Sequence, residues 1–227
     1  MKKIIKSIFS FFEKVYVFFC RRISAQKSFL FLNRYDVETG SRCELQRCIM
    51  ERNYFKISGS GNKITADNAK MTGCKISMHG CDNCIAISEG VILSNSIITI
   101  RGNGNSVFIG TNSTFGGVRI VNVGTGNKID IGQGCLFADK IEIWASDTHP
   151  IYNDKNKIIN AERPIRIGDN VWVGSNVSIL KGVVVGNGAI IGMGTVVASD
   201  VEERCVVVND LALKTIKKDV DWKLFYD

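Results

Sequence analysis

The chain has 227 residues, 45% hydrophobic and 22% charged, with a formal net charge of +7. That length gives one or two domains and burial of about 70% of the unfolded surface, enough for a self-sufficient core. The apolar fraction excludes a disordered chain, and the lack of a glycine triplet period excludes a collagen-like one.

Residues 2–22 read as an amphipathic helix. Ile4, Ile5, Ile8, Phe11, Phe12, Val15, Phe18 and Phe19 recur at three- and four-residue steps. Glu13 and Lys14 interrupt the apolar run, which makes it too short and too charged for a transmembrane span. No small-residue cleavage site follows a clean apolar region, so a signal peptide is not expected. Lys2, Lys3, Lys6, Arg21 and Arg22 flank the segment. Such a helix either rests on an anionic membrane surface or caps a structure beneath it. Residues 23–55 show no clear pattern and are read as a connecting segment, so 1–55 forms an N-terminal region.

Residues 56–209 carry internal repeats. Ile167, Val173, Ile179, Val185, Ile191 and Val197 recur every six residues. Gly168, Gly174, Gly186 and Gly192 follow four of them directly. A period of six is neither that of a helix nor a plain alternation. It describes short strands ending in corners, stacked coil on coil. With three sides per coil, Ile167 lies over Val185, Val173 over Ile191 and Ile179 over Val197, on rungs about 4.8 Å apart. Upstream, Asn62, Asn83, Asn105 and Asn127 recur at steps of 21, 22 and 22. They are read as corner residues, since asparagine tolerates the left-handed conformation. Twenty-two glycines against two prolines fit corners built without proline. Hairpin turns in an antiparallel sheet are the competing reading, but they do not explain the six-residue ladder.

The ladder breaks once. Ile131, Phe137 and Ile143 keep the beat; then Asp147-Thr148-His149-Pro150 opens an excursion over residues 150–164, and the beat resumes at Ile167. A polar loop thrown out of a solenoid with a histidine at its root is where a site is expected. Residues 210–227 leave the solenoid, with 214–224 read as a short terminal helix.

Two histidines, His79 and His149, exclude a three-histidine zinc site within one chain. The eight cysteines lie in a chain too long to need staples and are read as small core residues in a reducing cytosol. Cys81 and Cys84 have C-x-x-C spacing but lack the second pair of a zinc ribbon, so no metal is expected. The basic charge is not accompanied by a nucleic-acid motif, and no nucleic-acid partner is expected.

The ladder resembles the hexapeptide-repeat acyltransferases, which fold as left-handed parallel β-helices. The stretch Ser146-Asp-Thr-His149-Pro-Ile-Tyr152, with Ile159-Asn160 and IGDNVWVGSNVSILKGVVVG, is similar to the sugar and polysaccharide O-acetyltransferase branch. The resemblance implies acetyl transfer from acetyl-CoA to a saccharide hydroxyl within a homotrimer whose sites lie between subunits. It makes His149 the general base. A hydroxyl attacking a thioester needs a base with a pKa near 7, which suits histidine. His79, without a matching motif, is read as structural.

Asp147 is a candidate to orient the imidazole. The resemblance also places Trp172, Gly174 and Ser175 in the site, with backbone N–H groups near Gly174 and Ser175 as oxyanion donors. Gly192 and Gly194 are assigned to the coenzyme's pantetheine arm, and Lys181, Arg204 and Lys214 to its phosphates.

Two departures bear on the acceptor. The family's G-x-P-A-K segment reads Asn209-Asp210-Leu211-Ala212-Leu213-Lys214, and Ser113-Thr-Phe-Gly116-Gly117 stands where small-sugar enzymes carry an acceptor-contacting asparagine. With the basic N-terminal helix, these favour a surface polysaccharide or lipid-linked glycan acceptor over a small free sugar. With no signal peptide expected, the cytoplasm is the expected compartment, at the inner face of the membrane if the helix binds there. The competing functions are N-acetylation of an amino-sugar nucleotide, O-acetylation of a small metabolite, and a noncatalytic or carbonic-anhydrase-like solenoid.

Overall fold

The computed structural model describes residues 22–210 together with residues 6–8, 10, 11 and 13. Strands follow one another from Ile23–Gln26 to Val206–Val207. Each coil contributes three, as in Lys63–Asp67, Lys70–Thr72 and Lys75–His79. Stacked coils pair in parallel and form a three-sided β-helix.

The first side is an eight-stranded sheet running from Ile23–Gln26 to Val184–Val185. The second runs from Phe29–Phe31 to Val206–Val207, and the third from Arg34–Val37 to Val196–Val197. Thr114–Thr125 and Leu136–Trp144 run on across the edge between the second and third sides.

The six-residue pattern gives the observed register. Ile167 pairs with Val185, Val173 with Ile191 and Ile179 with Val197. Ile131, Phe137 and Ile143 sit one coil earlier in the same columns. All of these side chains are buried. Phe115 and Phe137 continue the stacking, with ring centroids 4.5 Å apart. Like-on-like burial of aliphatic columns is the main stabilising term, at about 25 cal/mol per Å² of apolar surface.

The solenoid starts earlier than residue 56. Ile23–Gln26, Phe29–Phe31 and Arg34–Val37 make one coil, and Arg42–Gln46, Ile49–Glu51 and Tyr54–Ser58 the next. Their corners carry Lys27, Leu32, Arg47 and Arg52 at positive φ. Long side chains replace the glycine and asparagine that mark corners downstream, so the repeat is hidden in the sequence.

The recurring asparagines have a different role from the one expected. Positive φ falls on the residue before each of them: Gly61, Asp82, Gly104 and Gly126. Asn62, Asn83, Asn105 and Asn127 turn their side chains inward at the edge between the third and first sides, where they are buried. Each Oδ1 of the first three accepts the backbone N–H of the next asparagine at 2.9–3.1 Å. Their Nδ2 groups donate to the carbonyls of Gly80, Gly102, Gly124 and Ala145. Corner N–H and C=O groups that cannot join a strand ladder are satisfied this way inside the prism. At other corners Asn68, Asn95, Asn112, Asn170 and Asn176 do adopt positive φ.

Four of the described cysteines, Cys43, Cys48, Cys74 and Cys135, are buried core residues, while Cys81, Cys84 and Cys205 are half-buried. Burial pushes the thiols of Cys48, Cys74 and Cys135 up from the ordinary range.

Residues 6–8, 10, 11 and 13 are helical. Lys6 pairs with Glu51 at 3.1 Å, and Glu13 Oε1 accepts from the backbone N–H and the Nδ2 of Asn33. These contacts fall on the first two coils, as the capping alternative requires. Burial raises the Glu13 carboxyl above its ordinary value, against the Asn33 hydrogen bonds. The remainder of segment 2–22 and the terminal helix over 214–224 lie outside the described residues. Among the described residues no helix is long and apolar enough to cross a membrane.

The ladder makes a direct prediction. Asn83→Ala strips partners from Asn62 Oδ1, the Asn105 N–H and the Gly102 carbonyl. It should cost about 2–4 kcal/mol of stability, read as a lowered urea midpoint. A loss within about 0.5 kcal/mol, typical of a surface change, would contradict the assigned role.

Candidate active site

The chain leaves the coil at Ala145, after the third-side strand that ends at Trp144, and re-enters at Ile165–Ile167 on the first side. Both ends of this loop meet at one atom: the Ala145 carbonyl accepts from Asn127 Nδ2 at 3.0 Å and from the Arg163 N–H at 3.2 Å. Inside the loop, Tyr152 and Ile158 form an antiparallel bridge. Asn153 Oδ1 closes its turn by accepting the N–H groups of Lys155 and Lys157.

The loop root holds His149 in a defined place. Ser146 Oγ accepts the Thr148 N–H at 2.9 Å, and Thr148 sits at φ 65. A β-branched residue at positive φ is strained, and such strain is found where a side chain is being aimed. Asn160 is the hub. Its Nδ2 donates to the His149 carbonyl and to Asp147 Oδ2, both at 2.9 Å, and its Oδ1 accepts the Ile151 N–H. His149 itself is exposed. It lines a pocket of about 180 Å³ with Val123, Thr148, Asn160 and Glu162. A neighbouring, more apolar pocket of about 330 Å³ is lined by Trp144, Asp147, Arg163, Leu180 and Lys181. A larger, shallow depression of about 490 Å³ on the first side, lined by Glu44, Thr65 and Asp67, has no histidine and no cationic side chain in its lining.

Two expected roles change. Asp147 makes no hydrogen bond to the His149 ring among the described residues. Its Oδ2 accepts Lys181 Nζ at 2.5 Å as well as Asn160 Nδ2. Lys181 also donates to the Asn160 carbonyl at 2.7 Å, and its side chain is only 14% exposed. The pair is committed to the loop root, which leaves Lys181 poorly placed for a coenzyme phosphate. The Lys181 ammonium, with help from Asn160, holds the Asp147 carboxyl below the usual carboxylate range.

A second cluster occupies the edge between the second and third sides. Trp172 stands outward on the second side, 51% exposed, in register with Leu136 and Ile190. At the corner after it, Ser175 Oγ donates to Asp139 Oδ1 at 2.5 Å, which lowers the Asp139 carboxyl. The Gly174 N–H is spent on the Ile191 carbonyl at 2.8 Å, so it does not serve as an oxyanion donor. A Cβ at Gly174 would lie 2.8 Å from the Met193 backbone nitrogen, so the coils touch closely here. Gly192 and Gly194 lie at the same edge one coil on. Gly194 has φ 76 and open space where a Cβ would be, beside the exposed Met193.

The sequence-derived residues therefore separate. Asp147, His149 and Lys181 sit at the third-to-first edge; Trp172, Gly174, Ser175, Gly192 and Gly194 at the second-to-third edge. Arg204, exposed with φ 57, marks a first-to-second corner of the last coil, and Lys214 lies outside the described residues. His79 Nδ1 is 2.7 Å from Ser58 Oγ on the third side, away from the loop contacts.

A family model for bacterial transferase hexapeptide (six repeats) matches residues 164–199. The polysialic acid O-acetyltransferase of Neisseria meningitidis is 27% identical over 147 residues, covering 55% of this chain and 68% of that protein. The crystal structure of the polySia specific acetyltransferase NeuO superposes with a TM-score of 0.66 at 26% identity, covering 88% of this chain and 92% of that one. The polysialic acid O-acetyltransferase OatWY gives a TM-score of 0.58 at 26% identity, covering 87% and 96%. The chain carries the bacterial transferase hexapeptide repeat and is similar in sequence and fold to polysialic acid O-acetyltransferases. A further relative, the polysialic acid O-acetyltransferase of Escherichia coli O1:K1 / APEC, is 36% identical over 140 residues. That match covers 61% of this chain, and the chain spans 44% of that relative's length.

The residues of these clusters that the sequence pattern leaves unassigned are Asn160 and Asp139. Asn160 could have been found, because it stands in the segment that carries the resemblance. Asp139 has no local signal, since its partner Ser175 is 36 residues away.

The loop root can be tested without touching the imidazole. Lys181→Met should release Asp147 and the Asn160 carbonyl, misplace His149 and reduce turnover roughly 10- to 100-fold, measured as coenzyme A release. Undiminished turnover would contradict the positioning role. Because the Asp147 carboxyl is depressed, its contribution is fully present above its ordinary value near pH 4 and is lost as pH falls through the lowered folded value. Loop contacts followed by hydrogen exchange should therefore hold from pH 8 to about 5 and loosen only below about 4. Loosening near neutral pH would contradict this.

Proposed function

We propose that the protein transfers the acetyl group of acetyl-CoA to a hydroxyl of an acidic surface polysaccharide, with His149 as general base. The observation that carries this reading is the pinned loop. A solenoid similar in fold to two polysialic acid O-acetyltransferases presents one exposed imidazole beside a pocket where a long loop interrupts its described coils.

His149 takes the proton of the acceptor hydroxyl as that oxygen attacks the thioester carbonyl. The new C–O bond makes a tetrahedral oxyanion, which needs an N–H donor already in place. With the Gly174 N–H engaged in the ladder, the Ser175 N–H is the donor favoured at that corner. The C–S bond then breaks, and the imidazolium returns its proton to the departing sulfur. Asn160 fixes the histidine's backbone, and the Asp147–Lys181 pair holds Asn160. The open backbone at Gly194 and the exposed Met193 suit an extended pantetheine arm lying along the edge.

In this reading His149 and Trp172 belong to different edges of one prism, and the site is completed by a neighbouring copy in a threefold homotrimer. The outward residues Ile49, Ile92, Leu136 and Val206 make the second side largely apolar, with Lys70 standing between the first two, which suits burial against that neighbour. The acetyl-CoA co-substrate is a cytoplasmic metabolite, which makes the cytoplasm the expected compartment. The contacts of Lys6 and Glu13 with the first coils support a capping role for the N-terminal helix.

His149→Ala should fold normally and lose roughly 10²–10⁴ in turnover, while His79→Ala should lose far less. Comparable transfer by the His149 variant would overturn the base assignment. Light scattering should give a trimer. Mixed trimers of His149→Ala chains and Trp172→Ala chains should recover part of the activity. A fully active monomer would contradict the shared site.

A further inference from the structure

Charge is distributed unevenly among the three sides. On the first side Arg42 and Lys63 both pair with Glu44, and at its corner Arg47 pairs with Asp67. The outward face of the third side is different. Arg34, Lys56, Lys75, Arg101 and Arg119 stand on five successive rungs, one cation per rung. All five are exposed, and none takes part in an ion pair among the described residues. The carboxylates on this face are Asp36 on the first rung and Glu142 beyond the fifth, the latter accepting Trp144 Nε1 at 2.6 Å.

Arg34, Lys75 and Arg119 share one column on alternate rungs, about 10 Å apart, with Lys56 and Arg101 offset along the strands between them. Asp36 lies in register with Lys56 and Glu142 with Arg119, but cations outnumber carboxylates on this face, which suits it to a negatively charged partner. The lane between the cations is lined by hydroxyls: Ser77 Oγ donates to Thr99 Oγ1 at 3.3 Å. Two guanidiniums are held against rings, Arg34 5.2 Å from the Tyr54 centroid and Arg119 5.1 Å from that of Trp144. The row also leads to the active site. Arg101 is in register with Val123, and Val123 lines the pocket of His149.

We propose that the third side is a binding rail for a linear, carboxylate-bearing polysaccharide, the acceptor itself. Acidic groups of successive sugars meet Arg34, Lys56, Lys75, Arg101 and Arg119, and a hydroxyl near the end of the bound stretch enters the His149 pocket. This rests on the acetyl-transfer reading for the identity of the occupant. Its spacing follows from the fold, since Arg34, Lys75 and Arg119 repeat one outward position on alternate rungs. The rail adds affinity for long chains and none for a fragment that reaches only the pocket.

The test uses the full-length protein and polysialic acid as probe. Binding of long polysialic acid, of a sialic acid trimer and of neutral dextran is measured at low salt for three proteins. These are the unaltered protein, Lys56→Gln/Lys75→Gln/Arg101→Gln, and a first-side control, Lys128→Gln/Arg166→Gln. The third-side variant should bind the long polymer about 10-fold more weakly. Its KM for that polymer should rise with kcat and the KM for acetyl-CoA unchanged. The control should match the unaltered protein, and dextran should bind none of them. Equal polymer binding by the third-side variant overturns the rail. Tighter, equally lysine-dependent binding of an oligonucleotide or of anionic vesicles overturns the occupant. If the polymer binds through these residues but no acetyl ester forms, the rail stands and the acetyl-transfer reading fails. If ester forms with an unchanged polymer KM in the third-side variant, the transfer reading stands and the rail fails.

Discussion

The buried asparagine column at one edge of the prism is the constraint on which the site depends. A corner exposes backbone N–H and C=O groups that no strand ladder can take up, and burying them unpaired costs about 1–3 kcal/mol each. Asn62, Asn83, Asn105 and Asn127 resolve this coil by coil. The column ends where the loop begins. The last member holds the Ala145 carbonyl, the same oxygen that the returning chain grips through Arg163. A loop of this length carries a closure cost that grows only slowly with its size. Pinning both ends at one atom lets a polar segment leave the coil without disturbing the register of the coils on either side, in which Ile131 still pairs with Ile167.

The parts of the fold that were legible in the sequence are those where one residue type repeats for one physical reason. Aliphatic side chains at every sixth position stack in columns, and the observed pairs follow from the period alone. The same logic located the break at residues 147–164. It failed at the first two coils, because Lys27, Leu32, Arg47 and Arg52 occupy corners where glycine or asparagine would have signalled a turn. It also misjudged the asparagines, since spacing shows that a residue recurs at a corner but not whether its backbone or its side chain is needed there.

The site was legible only in part. His149 stands out because a histidine in a solenoid's excursion has few structural reasons to be there. The partners of Asp147 were not readable. Lys181 lies 34 residues on and reaches the carboxylate only because the coil brings that edge back beneath the loop. Sequence proximity suggested an aspartate serving its neighbour His149; the fold uses it as a strut for Asn160. The three sides then divide their tasks: ion pairs cover the first, apolar side chains the second, and unpaired cations the third.

The central claim is that acetyl groups reach hydroxyls of an acidic polysaccharide. Esters are cleaved by mild alkali under conditions that leave amides intact. Polysialic acid incubated with the protein and isotope-labelled acetyl-CoA can therefore be weighed by mass spectrometry before and after such treatment. The account predicts labelled acetyl groups on the polymer that alkali removes completely. Label that resists alkali, or a polymer that gains none while the labelled thioester is consumed on another acceptor, would contradict it.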